Sequence, residues 1–172
     1  MTDAQKVVDG FCFLPPALGA WINSTIPGDE FKGEIPWTPL KKPLAETTVA
    51  LMTSAGINTH DDPPFDMERE RHEPLWGDPS YRRIPVIATP ADIDVNHLHV
   101  NTGYIKKDIN VVLPINRFQT FEADGTIGAL APTAYSYYGF QMDPGVLVNE
   151  TMPQVAADMK AEGVEAALLT PT

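Results

Sequence analysis

Cysteine is nearly absent. Cys12 stands alone in 172 residues, which excludes an internal disulfide framework and fits a reducing compartment, so a cytoplasmic protein is expected. Long apolar runs are missing too, since a membrane span needs about 20 such residues. The nearest approach, FCFLPPALGAWI (11–22), contains Pro15 and Pro16 and follows Asp3 and Asp9 with only Lys6 as a cation, whereas a secretory leader starts basic. Basic stretches do not occur: cations run no further than pairs such as Arg82-Arg83 and Lys106-Lys107. With 12 Lys and Arg against 23 Asp and Glu, a net charge of −11, nucleic acid and anionic membrane are not expected as partners. No Walker or dinucleotide fingerprint is present, and Gly56 and Gly139 are too isolated to form a phosphate loop. Neither a Ser–His–Asp order nor a Cys–His pair stands out.

What is there fits a globular domain. At 43% apolar and 20% charged, the chain can bury a core. Residues 1–34 read as an N-terminal arm and 35–172 as one α/β domain. The apolar segment 11–22 is expected either to pack on the domain surface or to form an oligomer contact, with Cys12 buried. PGDEFKGEIPWTPLKKP (27–43) reads as an extended lead-in anchored by Trp37 and Leu40. TVALMT (48–53) is a β-branched, apolar strand closed by the turn Ser54-Ala55-Gly56. Residues 60–79 are polar, proline-rich and irregular. DIDVNHLHV (92–100) alternates with period two until its register breaks at Asn96-His97.

From residue 111 the pattern alternates strand, helix, strand, helix, strand. Val111 to Leu113 reads as a short strand. Pro114 then sits at the start of a helix in which Ile115, Phe118 and Phe121 share a face, and Gly125 ends it. IGALA (127–131) is the next strand, followed by a Tyr- and Gly-rich loop over 134–143. Residues 144–162 are helical with a kink or division at Pro153, Gly163 closes that helix, and VEAALL (164–169) is a buried strand. The alternation predicts an open, mostly parallel three-layer sheet with helices, flavodoxin- or Rossmann-like. Ligands of such sheets bind beyond the carboxyl ends of the strands. The chain has a strand pointing at that rim and no loop after it, so the domain is expected to be incomplete there.

Candidate chemistry centres on few residues. On a continuous strand His97 and His99 would project from one face about 6–7 Å apart. They could share a metal, although Asp92, Asp94, His60, His72 and Asp108 supply no diagnostic ligand spacing; one imidazole could bond a buried carbonyl or carboxylate; or His97 could orient or protonate a small substrate. Asp108 and Asn110 either cap a turn or stand with Arg117 around a substrate carboxylate. Asp78, Ser80 and Arg82 in GDPSYRRIP (77–85) form either a turn with an internal Asp–Arg pair or an anion-binding corner.

Six segments, IPWTPLKKPL (35–44), VALMTSAGI (49–57), GDPSYRRIP (77–85), His97 with KDINVVLPINRF (107–118), DGTIGALAPTAYSYYG (124–139) and MKAEGVEAALLTP (159–171), resemble in this order the selenoprotein B family of glycine, sarcosine and betaine reductases, in particular its D-proline reductase branch. The resemblance implies a subunit of an oligomeric reductase that cleaves a carbon–nitrogen bond at the α-carbon of an amino acid or its derivative. It implies a selenocysteine nucleophile beyond Thr172, a pyruvoyl or other carbonyl group on a partner subunit, and a thiol electron donor. Because a selenocysteine codon is also a stop codon, two explanations of the ending stay open: an unread selenocysteine, or a non-catalytic homologue that binds a ligand or partner. Carried over by resemblance, His97 and Asp108 border the substrate pocket, Asp78, Ser80, Arg82, Asn110 and Arg117 bind substrate, and Arg82 or Arg117 holds a carboxylate. The position of His99 is often glycine in the family, which weakens the metal alternative. Two features depart from the pattern: Tyr137-Tyr138 replaces Phe-Met before Gly139, and 58–76 is longer and richer in Pro and Glu. The apolar arm and the last sheet edge are the expected docking surfaces.

Overall fold

The computed structural model describes residues 10–25, 38–98 and 100–172. Two compact units divide between Thr38 and Pro39. In the first, a 3₁₀ turn at Gly10–Phe13 leads into helix α1 (Pro16–Thr25). Cys12 is exposed, contrary to the expected burial, because this short turn presents it and Phe13 to solvent. Trp37 lies outside the described residues, and Leu40 is half exposed rather than an anchor.

The second unit is an α/β fold on a mixed, mostly parallel sheet. Its strands are β1 (Thr48–Thr53), β3 (Tyr81–Pro85), β5 (Ala129–Leu130), β6 (Thr133–Tyr137) and β7 (Ala166–Thr170), while β2 (Ile57–Thr59) and β4 (Ile93–Val95) form a separate antiparallel pair. The helices are α2 (Met67–His72), α3 (Ile115–Ala123) and α4 (Met152–Ala161). β1 is central: β5, β6 and β7 all run parallel to it, and β3 closes the far side antiparallel to β6. Val49 and Leu51 join a large cluster with Ile84, Leu113 and Ile115, while Met52 joins Tyr135 and Val155 in a second. The period-two alternation of β1 therefore feeds two opposite faces, one covered by α3 and the other by α4. Among the described residues no helix is long and apolar enough to cross a membrane.

Four expectations are corrected. Val111–Leu113 forms no strand: a 3₁₀ turn at Ile109–Val111 leads into it, because the Asp108 side chain accepts from the Asn110 N–H and starts helical geometry there. The segment expected as a Tyr-rich loop contains β6, whose Ala134 and Tyr135 are buried on opposite sides of the sheet. GDPSYRRIP is a turn only at its start and continues as β3. Inside 60–79 lies α2, N-capped by Asp66, with Glu68 and Glu70 in its first turn and Arg69, Arg71 and His72 in its last. The division at Pro153 takes a specific form. A π-helical turn over Leu147–Thr151 precedes α4, in which Pro153, lacking an N–H, sits in the first turn.

Candidate functional site

The parallel strands β1, β6 and β7 bring their carboxyl ends to one rim, and Ser54 ties the three together. Its N–H donates to the Thr170 carbonyl at 3.2 Å, its carbonyl accepts from Gly139 N–H at 2.9 Å, and its Oγ accepts from Thr172 N–H at 2.9 Å. Thr170 Oγ1 adds bonds to the carbonyls of Met52 and Val112. Two residues on, Gly56 adopts φ +64° and hydrogen-bonds both to Tyr137, at the end of β6, and to Asn96, beside His97. A Cβ at Gly56 would stand 2.4 Å from the Asn96 carbonyl oxygen. Only glycine lets the His97 loop lie this close to the rim.

Beside the rim opens a cleft of about 640 Å³, walled by Phe65, Glu68 and Arg71 on one side and Asn96, His97 and Leu98 on the other. His97 is half-buried, its ring centroid 4.8 Å from that of Tyr138 at an angle of 59°. Tyr138 is fully buried and donates from its hydroxyl to Glu70 Oε1 at 2.8 Å. Burial first, and then the Glu70 carboxylate, push the Tyr138 phenol well above its ordinary range. Arg71 pairs with Glu68 at 3.2 Å and remains largely exposed. The cleft thus offers an imidazole, a guanidinium, a carboxylate and an aromatic wall.

Asp78, Ser80 and Arg82 come together beneath this cleft. The buried Asp78 carboxylate accepts from Asp66 N–H and Ser80 N–H, each at 2.8 Å, and from Ser80 Oγ. Arg82 donates to the carbonyls of Pro63 (2.7 Å), Pro64 (3.1 Å) and Tyr81 (2.8 Å) and to Ser80 Oγ (2.9 Å), and its guanidinium lies 4.3 Å over the Phe65 ring. These groups clamp the 63–66 loop that forms one wall.

Asp108, Asn110 and Arg117 do not line the cleft. Asp108 accepts from Asn110 N–H (2.9 Å) and Nδ2 (2.7 Å), bonds that hold its carboxyl below the usual range, with a smaller contribution from the Arg117 charge. Asn110 also exchanges two hydrogen bonds with Asn116 at the start of α3. Through Val112, this capped turn reaches the rim at Thr170. His99 lies outside the described residues, and among the described residues no three His, Cys, Asp or Glu gather where a metal could be held.

Sequence reasoning named His97 but missed Ser54, Glu70, Arg71 and Tyr138. For Arg71 a signal existed: Asp66 followed by an acidic and then a basic turn marks a short capped helix. For the others none did, because their roles arise from contacts distant in sequence.

The family model for glycine/sarcosine/betaine reductase selenoprotein B matches residues 24–172. The chain is 40% identical over 134 residues to the D-proline reductase subunit gamma of Acetoanaerobium sticklandii, covering 78% of this chain and 52% of that relative. It is 30% identical over 172 residues to the glycine reductase complex component B subunit gamma of Carboxydothermus hydrogenoformans, covering 98% of this chain and 37% of the relative. With the sarcosine reductase complex component B subunit beta of Peptoclostridium acidaminophilum it shares 27% identity over 143 residues, 80% of this chain and 31% of the relative. The chain thus spans about half or less of the length of these curated relatives. No solved structure matches it significantly. On the family match across most of its length, the chain belongs to the glycine/sarcosine/betaine reductase selenoprotein B family.

Proposed function

We propose that this chain supplies the substrate-side scaffold of a reductase-complex subunit that cleaves the α-carbon–nitrogen bond of an amino acid or derivative. The observation that supports this best is the junction at Ser54, where three parallel strand ends meet beside the cleft that holds His97. The names of its relatives, reductases of D-proline, glycine and sarcosine, support an amino-acid-like substrate. The site suits the chemistry. A cleft of about 640 Å³ admits an amino acid, and the rim at Thr170–Thr172 is fixed by hydrogen bonds to Ser54, Met52 and Val112. By resemblance to the family, a selenol following Thr172 would supply a nucleophile ionised at neutral pH, and a pyruvoyl or other carbonyl group on a partner subunit would activate the amine.

This chain's own residues bind and move protons. Arg71, the guanidinium in the cleft, pairs with the substrate carboxylate. Cleavage takes up two electrons and two protons, which a dithiol provides as it is oxidised to a disulfide; one proton ends on the α-carbon, and His97 holds the one that the leaving amine nitrogen takes. Phe65 covers the substrate from water. Asp78, Ser80 and Arg82 act by keeping the Phe65 loop in place, and Asp108 and Asn110, with Arg117 at their side, by keeping the rim in place through Val112.

Turnover by the assembled complex, with the full reading frame, D-proline, glycine, sarcosine and betaine as substrates and a dithiol as reductant, tests the reading. His97→Ala is expected to lower kcat by about 10²- to 10⁴-fold, the usual contribution of a positioned acid or base. Unchanged turnover in that variant would remove His97 from the mechanism.

A further inference from the structure

Tyr138 follows β6 directly and is used on two sides. Its ring backs the His97 imidazole at 4.8 Å. Its hydroxyl donates to Glu70 Oε1 at 2.8 Å. One side chain therefore links the face of the imidazole to a buried carboxylate on α2.

Glu70 is the unexpected partner. Its neighbours on α2, Glu68, Arg69, Arg71 and His72, make exposed pairs of the kind that decorate a solvated helix. Glu70 alone among them is taken out of water, at 2% exposure. A carboxylate buried in this way is costly unless hydrogen-bonded, and helix propensity gives no reason for it.

We propose that Glu70 and Tyr138 are positioning residues for His97: the buried carboxylate orients the phenol, and the phenol ring fixes the His97 ring against the cleft. The expected effect on turnover rests on the reading of the cleft given above; the structural effect does not.

Tyr138→Phe keeps the ring and removes the hydroxyl. In the full chain, followed by NMR, it is expected to shift the His97 ring resonances. The slow amides of β1 should be unaffected. Glu70→Leu is expected to act in the same direction, whereas Glu70→Gln, which still accepts from the phenol, should stay close to the parent. Within the assembled reductase, Tyr138→Phe and Glu70→Leu should lower kcat with little change in KM, and Glu70→Gln should restore it. If Glu70→Leu does not fold, Tyr138→Phe decides the matter. His97 resonances identical to the parent in Tyr138→Phe would overturn the proposal, whatever happened to turnover. If they moved and turnover stayed constant, the positioning would stand and the catalytic role of His97 would fall.

Discussion

At the scale of single residues, the rim depends on small side chains that let backbones meet. Gly56 is the clearest case, since its positive φ and the Asn96 carbonyl 2.4 Å from where a Cβ would stand act together. Alanine would carry the left-handed strain of about 1–2 kcal/mol and also push away the loop that bears His97. Gly56→Ala is therefore expected to cost about 2 kcal/mol or more of a net stability that is only about 5–15 kcal/mol for a domain. A urea titration measures the loss. Because the same substitution moves the Asn96–His97 backbone, His97 resonances should shift more than those of His60, which lies across β2 and β4 in a loose pairing with Asp94 at 3.8 Å. Equal stability of variant and parent would mean that the close approach at Gly56 is not what holds the loop.

At the scale of elements, β7 is attached at its start by a charge and at its end by the rim. Glu165, just before β7, accepts from Lys42 Nζ at 2.9 Å and from the Thr48 backbone N–H at 3.2 Å, and these bonds hold its carboxyl below the ordinary glutamate range, the Lys42 hydrogen bond contributing most. A carboxyl depressed on folding adds stability above its unfolded pKa of about 4.3, and that contribution is lost as pH falls through the lower folded value. Glu165→Gln should therefore unfold at lower urea than the parent at pH 7, with the gap closing below about pH 4. A gap independent of pH would assign the effect to packing instead. The strands and helices with strong local signals were legible in the sequence: β1 from its β-branched run, α3 from its 3–4 spacing, β7 from its apolar run after Gly163. β6 was not, because Thr133-Ala134 followed by Ser136 between two tyrosines looks like a loop until the sheet buries it. The two arginines of β3 looked like a turn because nothing local shows that β6 will pair with them. The candidate site followed the same rule: His97 could be named from its own segment, but Glu70 and Tyr138 are 68 residues apart, and only the fold makes them one group.

At the scale of the whole chain, the sheet ends on a strand built for an interior. β7 reads AALLT and pairs on one side with β1; parallel strands of this composition are normally covered on both faces. Here Leu168 and Leu169 are exposed, Leu169 by 61%. Next to them an apolar groove of about 240 Å³, lined by Phe118, Phe121 and Ile127, opens against Leu168. An uncovered apolar strand edge is a template for pairing, and the smallest partner available to the purified chain is another copy of itself. The chain on its own is therefore expected to associate as its concentration rises, with sedimentation velocity showing dimers or larger species. Leu169→Lys places a charge on this edge and should return the population to monomer without lowering the urea midpoint, because Leu169 gives up little burial. A parent chain that stays monomeric at high concentration would show that β7 is satisfied by its pairing with β1 alone, and the search for the docking surface would then move to the apolar helix α1.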